Sequence, residues 1–346
     1  MGLNGTSYFP LGTLLKPAAL CPAITYYNII LEILQSMIWL PIVGNYADID
    51  VYASILAYEI LLNQRGKPAR NYIPVAPNYS VPTDLRLPEL EHKTFDFNST
   101  TDQIIILDIS KPETIHKFAK DDQILEIIDH HPGYEEYWQT HIGKRAIIEP
   151  IGAVATSIFE WWGECWDYGK MPSEIAKLLL GAILDNTLNF NADITTPRDH
   201  KAATELTKIL NTTIADFANQ YFSAVSQTIE QSLKSSIVKD IKQIKISATS
   251  PEIAFGQLTL WNAKNVSNKI SEIRQIMSSI SPSYLISFIS ISEKQNYILT
   301  SSLELDNYFT QLLHLKSQNN WLVSNQLYLR KEIIAKLPTN QTQESI

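Results

Sequence analysis

Ile124-Leu125-Glu126-Ile127-Ile128-Asp129-His130-His131 reads as a short apolar strand that ends in a carboxylate and two imidazoles. A near-continuous run of branched apolar residues is what a strand buried on both faces of a parallel sheet requires. Open α/β sheets bind their ligands at the carboxyl ends of such strands. One nitrogen of an imidazole can ligate a transition metal while a carboxylate holds the other nitrogen. Alone, the triplet is equally well a polar loop after a buried strand.

The same grammar recurs upstream. Ile104 to Leu107 is another apolar run, and Asp108 ends it. Met37 to Val43 is a third, followed by Gly44-Asn45, by Asp48 and Asp50, and by an Ala/Leu-rich segment of helical character from Tyr52 to Asn63. Side chains two apart on an extended segment share a face, so Asp48 and Asp50 are expected in a loop that aims both at one site. Helical patterns cover Pro112 to Lys120, Gly152 to Trp162 and Pro172 to Leu184, with Asp185 at the end of the last. Strands alternating with helices give an α/β fold with a parallel, Rossmann-like sheet.

After Asp185 only one glycine remains, Gly256, and the segment around Gln220 to Ser236 is polar and helical. Short β-rich runs (Ile244 to Ile246, Ile253 to Leu260, Leu285 to Ile291, Tyr297 to Leu299) then alternate with helical ones (Val266 to Met277, Leu305 to Lys316). The expected organisation is an N-terminal extension with an amphipathic helix over 1–34, a catalytic domain over 35–222, a linker over 223–235, and a smaller α/β domain with a mixed sheet over 236–346. The active site is expected in the cleft between the two domains.

Bulk properties exclude several classes. The chain has 346 residues, 45% hydrophobic and 18% charged, which is the composition of a folded globular protein. A net charge of -8 without a long basic run lacks the field that duplex nucleic acid demands. Cys21 and Cys165 suit neither a disulfide framework nor a cysteine zinc site, and fit a reducing cytoplasm. No apolar stretch reaches the length of a membrane span, and no signal peptide is read at the N-terminus. His92, His116, His141, His200 and His314 lack any supporting pattern and read as surface or core histidines.

Taken singly, Asp48 or Asp50 is most often a helix cap, and Asp108 or Asp185 a solvated terminus. Taken together, Asp48, Asp50, Asp108, Asp129, His130, His131 and Asp185 gather at one sheet edge. Unpaired carboxylates so gathered repel one another, and divalent metals resolve the conflict. Mixed carboxylate and imidazole donors suit Mn, Fe, Co or Zn, with Mn favoured as the carboxylate share rises.

In order along the chain, these stretches resemble the DHH phosphoesterase superfamily, in the branch of family II inorganic pyrophosphatases, exopolyphosphatases and Prune-like proteins. Asp48-Ile49-Asp50 is similar to motif I, Asp108 to motif II, Asp129-His130-His131 to motif III, and Leu180 to Thr187 to motif IV. Glu149 to Thr156 and Thr195-Thr196-Pro197-Arg198-Asp199 fit as well. The resemblance implies two Mn2+ ions, or Co2+ or Mg2+ in their place, held by Asp48, Asp50, Asp108, His130 and Asp185. It implies that His131 faces the substrate phosphate, that Asp129 and His131 are catalytic, and that Lys242, Arg330 and Lys331 clamp phosphate oxygens across the cleft. The implied activity is hydrolysis of phosphoanhydride bonds in pyrophosphate or short polyphosphate by a hydroxide that the metals activate, without nucleic-acid or membrane partners. A homodimer is compatible with that reading.

Three positions depart from the family pattern. Gly44 stands where pyrophosphatases carry a metal-binding His, Val51 where a small hydroxyl residue is usual, and Leu329 where Ser precedes the Arg. The alternative they imply is a degenerate family member with weak phosphoesterase activity or a binding role.

Overall fold

The computed structural model describes residues 36–338 apart from 45, 166, 167, 248, 264, 265 and 267. The expected N-terminal extension and its amphipathic helix lie outside the described residues. From Met37 onward the described chain is a single compact unit built on two sheets.

The first sheet has five parallel strands: β1 (Ile38–Pro41), β2 (Ala69–Tyr72), β3 (Gln103–Leu107), β4 (Ile124–Asp129) and β5 (Ala146–Ile148), in the order β2-β1-β3-β4-β5. The chain passes from β1 to one side and then returns to the other, so the order reverses between β1 and β3. A crevice at the carboxyl ends of the strands opens at such a reversal. Alternate side chains of β3 enter different cores: Ile105 and Leu107 pack on one face, Ile104 and Ile106 on the other. That two-sided burial explains the unbroken apolar runs.

Helices α1 (Ile49–Gln64), α2 (Pro112–Ile115), α3 (Glu135–Ile142), α4 (Val154–Cys165), α5 (Ser173–Asn186) and α6 (Pro197–Leu210) accompany this sheet. The helix expected from Pro112 to Lys120 stops at Ile115. Helix α1 packs against α4 and α5, and its residues are buried almost all round. Gly181 on α5 permits that approach, because a Cβ there would stand 2.9 Å from Ile49 Cδ1 and 3.3 Å from a Tyr221 ring carbon.

Residues 214–240 form α7 (Ile214–Gln231) and α8 (Leu233–Asp240). The polar stretch hides an apolar face, since Phe217, Tyr221, Phe222, Val225 and Ile229 recur at helical spacing and are buried. The second sheet follows, with β6 (Lys242–Lys245), β7 (Glu252–Leu260), β8 (Tyr284–Ser290), β9 (Gln295–Thr300), β10 (Lys316–Gln318) and β11 (Trp321–Ser324) in the order β10-β11-β9-β8-β7-β6. It is mixed: β7 and β8 pair in parallel and the other neighbours are antiparallel. Helices α9 (Ile270–Ile280), α10 (Leu303–Leu313) and α11 (Arg330–Ala335) complete it. No helix among the described residues is long and apolar enough to cross a membrane.

Candidate metal centre

Asp48, Asp108, Asp129 and His130 all leave the carboxyl edge of the first sheet, beside the β1/β3 reversal. Asp48 lies on extended backbone as expected, but Asp50 does not. Asp48 is the N-cap of α1, accepting from the Val51 N–H at 3.1 Å, and Asp50 sits in the first helical turn. A helix start satisfies two needs here, because its orphan N–H groups favour carboxylates. Asp50 is also claimed by a second helix start: its Oδ2 accepts from Val154 N at 2.9 Å and its Oδ1 from Ala155 N at 2.8 Å. Burial nonetheless pushes Asp50 up to about 7, the two N–H bonds opposing it only in part.

Asp108 follows β3 with φ +60, a left-handed conformation that Asp tolerates better than most residues. Its Oδ1 is buried and has no hydrogen-bond partner. His130 is 3% exposed, and its Nδ1 lies 3.0 Å from the Ile151 carbonyl. A carbonyl only accepts, so Nδ1 carries the proton and Nε2 presents a lone pair, 3.4 Å from Asp108 Oδ1. Burial holds the His130 imidazole well below its usual titration range, in the neutral form that ligates metals. His131 is more open, with its side chain 44% exposed, and its Nδ1 stands 2.8 Å from Asp129 Oδ1 and 3.8 Å from Asp108 Oδ1.

Asp129 organises the pair rather than facing the opening. Its Oδ1 accepts from the backbone N–H of His130 at 2.7 Å and of His131 at 3.2 Å as well as from the His131 ring. Ligand atoms of Asp108, His130 and His131 all lie within 4.8 Å of one another. Burial, with Asp50 and Asp48 adding their charge, drives Asp108 well above the carboxylate range. A buried carboxylate oxygen without a partner, a neutral imidazole with its free nitrogen turned inward, and repulsion among neighbouring acids together fit a divalent cation.

The cluster opens, through His131, into a cleft whose walls come from both sheets. Asp48, His131 and Asp185 line one side; Asp240, Lys242, Arg330 and Lys331 line the other. Asp185, near the end of α5, is raised to about 7 by burial despite a 3.1 Å contact from the Tyr221 hydroxyl. Neither Lys242 nor Lys331 forms an ion pair among the described residues. Arg330 is already engaged: Nη1 donates to the Asp240 carbonyl at 2.6 Å, to Asp240 Oδ2 at 2.7 Å and to the Phe255 carbonyl at 3.1 Å. Its guanidinium is therefore fixed in the wall by Asp240.

Sequence reasoning missed Tyr46, Tyr79 and Tyr221, and gave no role to Asp240 and Gln257 within the stretches it matched to the second domain. Tyr79 donates to the Gln257 carbonyl at 3.0 Å and so ties the loop after β2 to β7. No local motif marks these residues; only the tertiary approach of the two sheets does.

Residues 39–183 match the model of the DHH family, N-terminal domain. That span is similar to a DHH domain. It contains Gly44, Asp48, Asp50, Asp108, Asp129, His130 and His131, whereas Asp185 lies two residues beyond the match. Over more of the chain, sequence similarity extends to a probable manganese-dependent inorganic pyrophosphatase of Shouchella clausii, 26% identical over 75% of this chain and 80% of that relative. The manganese-dependent inorganic pyrophosphatase of Methanothrix thermoacetophila is 23% identical over 82% of this chain and 92% of that relative. The match to the Bacillus subtilis manganese-dependent inorganic pyrophosphatase, at 26% identity, spans only 51% of this chain and 55% of that protein. The crystal structure of a putative family II inorganic pyrophosphatase from Methanococcus jannaschii shares the fold, with a TM-score of 0.60 at 18% identity over 87% of this chain and 97% of that one.

Proposed function

We propose that the chain is a metal-dependent phosphohydrolase that cleaves the phosphoanhydride bond of pyrophosphate or short polyphosphate. The observation that carries this reading is the opposition, across one cleft, of the Asp108-His130-His131 cluster and the cations of Lys242, Arg330 and Lys331. In this reading Asp48, Asp50, Asp108, His130 and Asp185 hold two ions, with Mn2+ the first choice, as in the names of the relatives. The catalytic domain covers 35–222 and the substrate-binding domain 236–346, joined through 223–235, and a cytoplasmic location goes with this chemistry.

Divalent ions at such a centre supply Lewis acidity toward phosphoryl oxygens and a water that loses its proton near neutral pH. The protein's own groups do the rest. Water oxygen adds to the terminal phosphorus, the P–O–P bond breaks, and the electron pair leaves with the departing phosphate. His131, its Nδ1 tied to Asp129, turns Nε2 toward the cleft, where it can meet a phosphate oxygen. Lys242 and Lys331 balance the charge that spreads over the phosphoryl oxygens, and Asp240 keeps Arg330 aimed at the same space.

Phosphate release from pyrophosphate and tripolyphosphate by the full chain tests this. Release supported by Mn2+ and abolished by a chelator is expected; no release with Mn2+, Co2+ or Mg2+ refutes it. A second reading, a family member that binds metal and phosphate with little turnover, is favoured by two observations: Gly44 offers no ligand, and both oxygens of Asp50 are engaged by main-chain N–H groups. Tight Mn2+ binding without release is its signature.

A further inference from the structure

Beside the phosphate cleft lies a second recess that shares Tyr46, Asp48, His131 and Lys242 with it and also reaches Asp108. Its remaining wall is of another character. Ile42, Val43, Val51, Leu107 and Ile109 make it largely aliphatic, with the ring of Tyr134 at one side. Inorganic phosphates offer such a wall nothing, because apolar surface binds only what it can remove from water.

Two of the departures from the family pattern fall in this wall. Gly44 and Val51 both line it, replacing a metal-binding imidazole and a small hydroxyl residue by open space and an apolar side chain. The space at Gly44 is genuine: a Cβ built there meets only the Tyr46 carbonyl oxygen, at an ordinary 3.6 Å.

We infer that the substrate is an organic diphosphate whose apolar organic group occupies this recess, while its terminal phosphate lies at the Asp108-His130-His131 cluster. This rests on the phosphoanhydride reading above and narrows it. Water adds to the terminal phosphorus, the anhydride P–O bond breaks, and the organic monophosphate leaves with the electron pair; the water's oxygen stays on the released inorganic phosphate and its two protons are taken up by the phosphate products. Continuity of the recess with the cleft through Tyr46, Asp48, His131 and Lys242 places the organic group beside the phosphate site.

Binding separates the two claims, since it does not need turnover. Calorimetry with the full chain and Mn2+ should show phenyl phosphate binding at least tenfold more tightly than inorganic phosphate, and Gly44→Leu, which fills the recess, should remove most of that advantage. Equal affinities of the wild type for the two ligands overturn the inference, as does an advantage untouched in Gly44→Leu. Should that variant not fold, Val51→Phe fills the same wall, and the wild-type comparison decides by itself. Phosphate release from phenyl diphosphate at a kcat/KM at least tenfold above that for pyrophosphate is the matching kinetic expectation. A wild type that prefers phenyl phosphate yet hydrolyses neither diphosphate would leave the recess assigned and remove the phosphohydrolase reading instead.

Discussion

At the scale of single residues, the centre depends on which atom of each side chain is left free. His130 and His131 are neighbours in sequence and opposite in state: one is buried with its Nδ1 held by a carbonyl, the other half-open with its Nδ1 held by Asp129. The Asp129 carboxylate accepts three times from the next two residues, so it fixes the ring and backbone of His131 together. Asp129→Asn keeps the shape while weakening acceptance from the imidazole. Phosphate release should fall by about 10- to 100-fold, in line with the loss of a partner that orients a site histidine, with Mn2+ affinity less affected. Isothermal titration alongside the rate assay checks this, and unchanged rates would show that His131 needs no such hold. The triplet was legible in the sequence because it ends an apolar strand. The roles of Asp48 and Asp50 were legible only in part: spacing of two was read as extended chain, whereas Asp48 caps α1 and Asp50 lies inside it. Capping chemistry and ligand chemistry use the same residue type, and spacing alone does not tell them apart.

At the scale of elements, the ends of helices do the positioning. The start of α4 holds Asp50, and the turn just before it is pinned by Asp199, which is fully buried at the start of α6. Asp199 Oδ2 accepts from Gly152 N at 3.0 Å and from Thr196 N at 2.8 Å, and its Oδ1 accepts from the Thr156 hydroxyl at 2.6 Å. A Cβ at Gly152 would stand 2.5 Å from Thr187 Cγ2 and 2.7 Å from Asp199 Oδ2, so this close approach requires glycine. Gly152→Ala should therefore cost about 1–3 kcal/mol, the usual range for forcing a group into a packed interior. Denaturant unfolding measures it, and a loss below a few tenths of a kcal/mol would show that the turn yields freely. Strands buried on both sides were readable from their apolar runs, but the edge strand β2, Ala69-Arg70-Asn71-Tyr72, was not. Its polar residues belong to a sheet edge, where one side of the ladder is unpaired and the apolar signal fades. In α7 the reverse held: a polar composition masked a buried stripe that carries Tyr221 to Asp185.

At the scale of the whole molecule, two sheets enclose a cleft with acids on one wall and cations on the other. The parallel sheet followed from the alternation of strand and helix runs, and the second sheet from the short β-rich runs near the C-terminal end. The closing contacts, Tyr79 on Gln257 and Arg330 on Asp240, join residues far apart in sequence and leave no local trace. The cleft also makes stability depend on pH. Asp50 and Asp185 ordinarily titrate near 3.8, and burial raises both to about 7. A carboxyl raised on folding contributes stability below its ordinary value and loses it as pH rises through the raised one, so the metal-free chain weakens between about pH 4 and 7. Mn2+ held by these acids, as proposed, would oppose that loss by neutralising them. The rise in Tm on adding Mn2+ should be larger at pH 7.5 than at pH 5.5, and an equal or smaller rise at pH 7.5 would speak against metal at these carboxylates.

Asp108 stands at the convergence of all three scales: a buried, unpartnered oxygen in a left-handed residue at the end of a central strand, facing the cationic wall. The decisive measurement is the rate of Mn2+-supported phosphate release by wild type and by Asp108→Ala, using pyrophosphate and phenyl diphosphate. A loss of at least a hundredfold on every substrate that the wild type hydrolyses is predicted. Equal release by the two proteins would contradict a metal-dependent phosphohydrolase centred on Asp108.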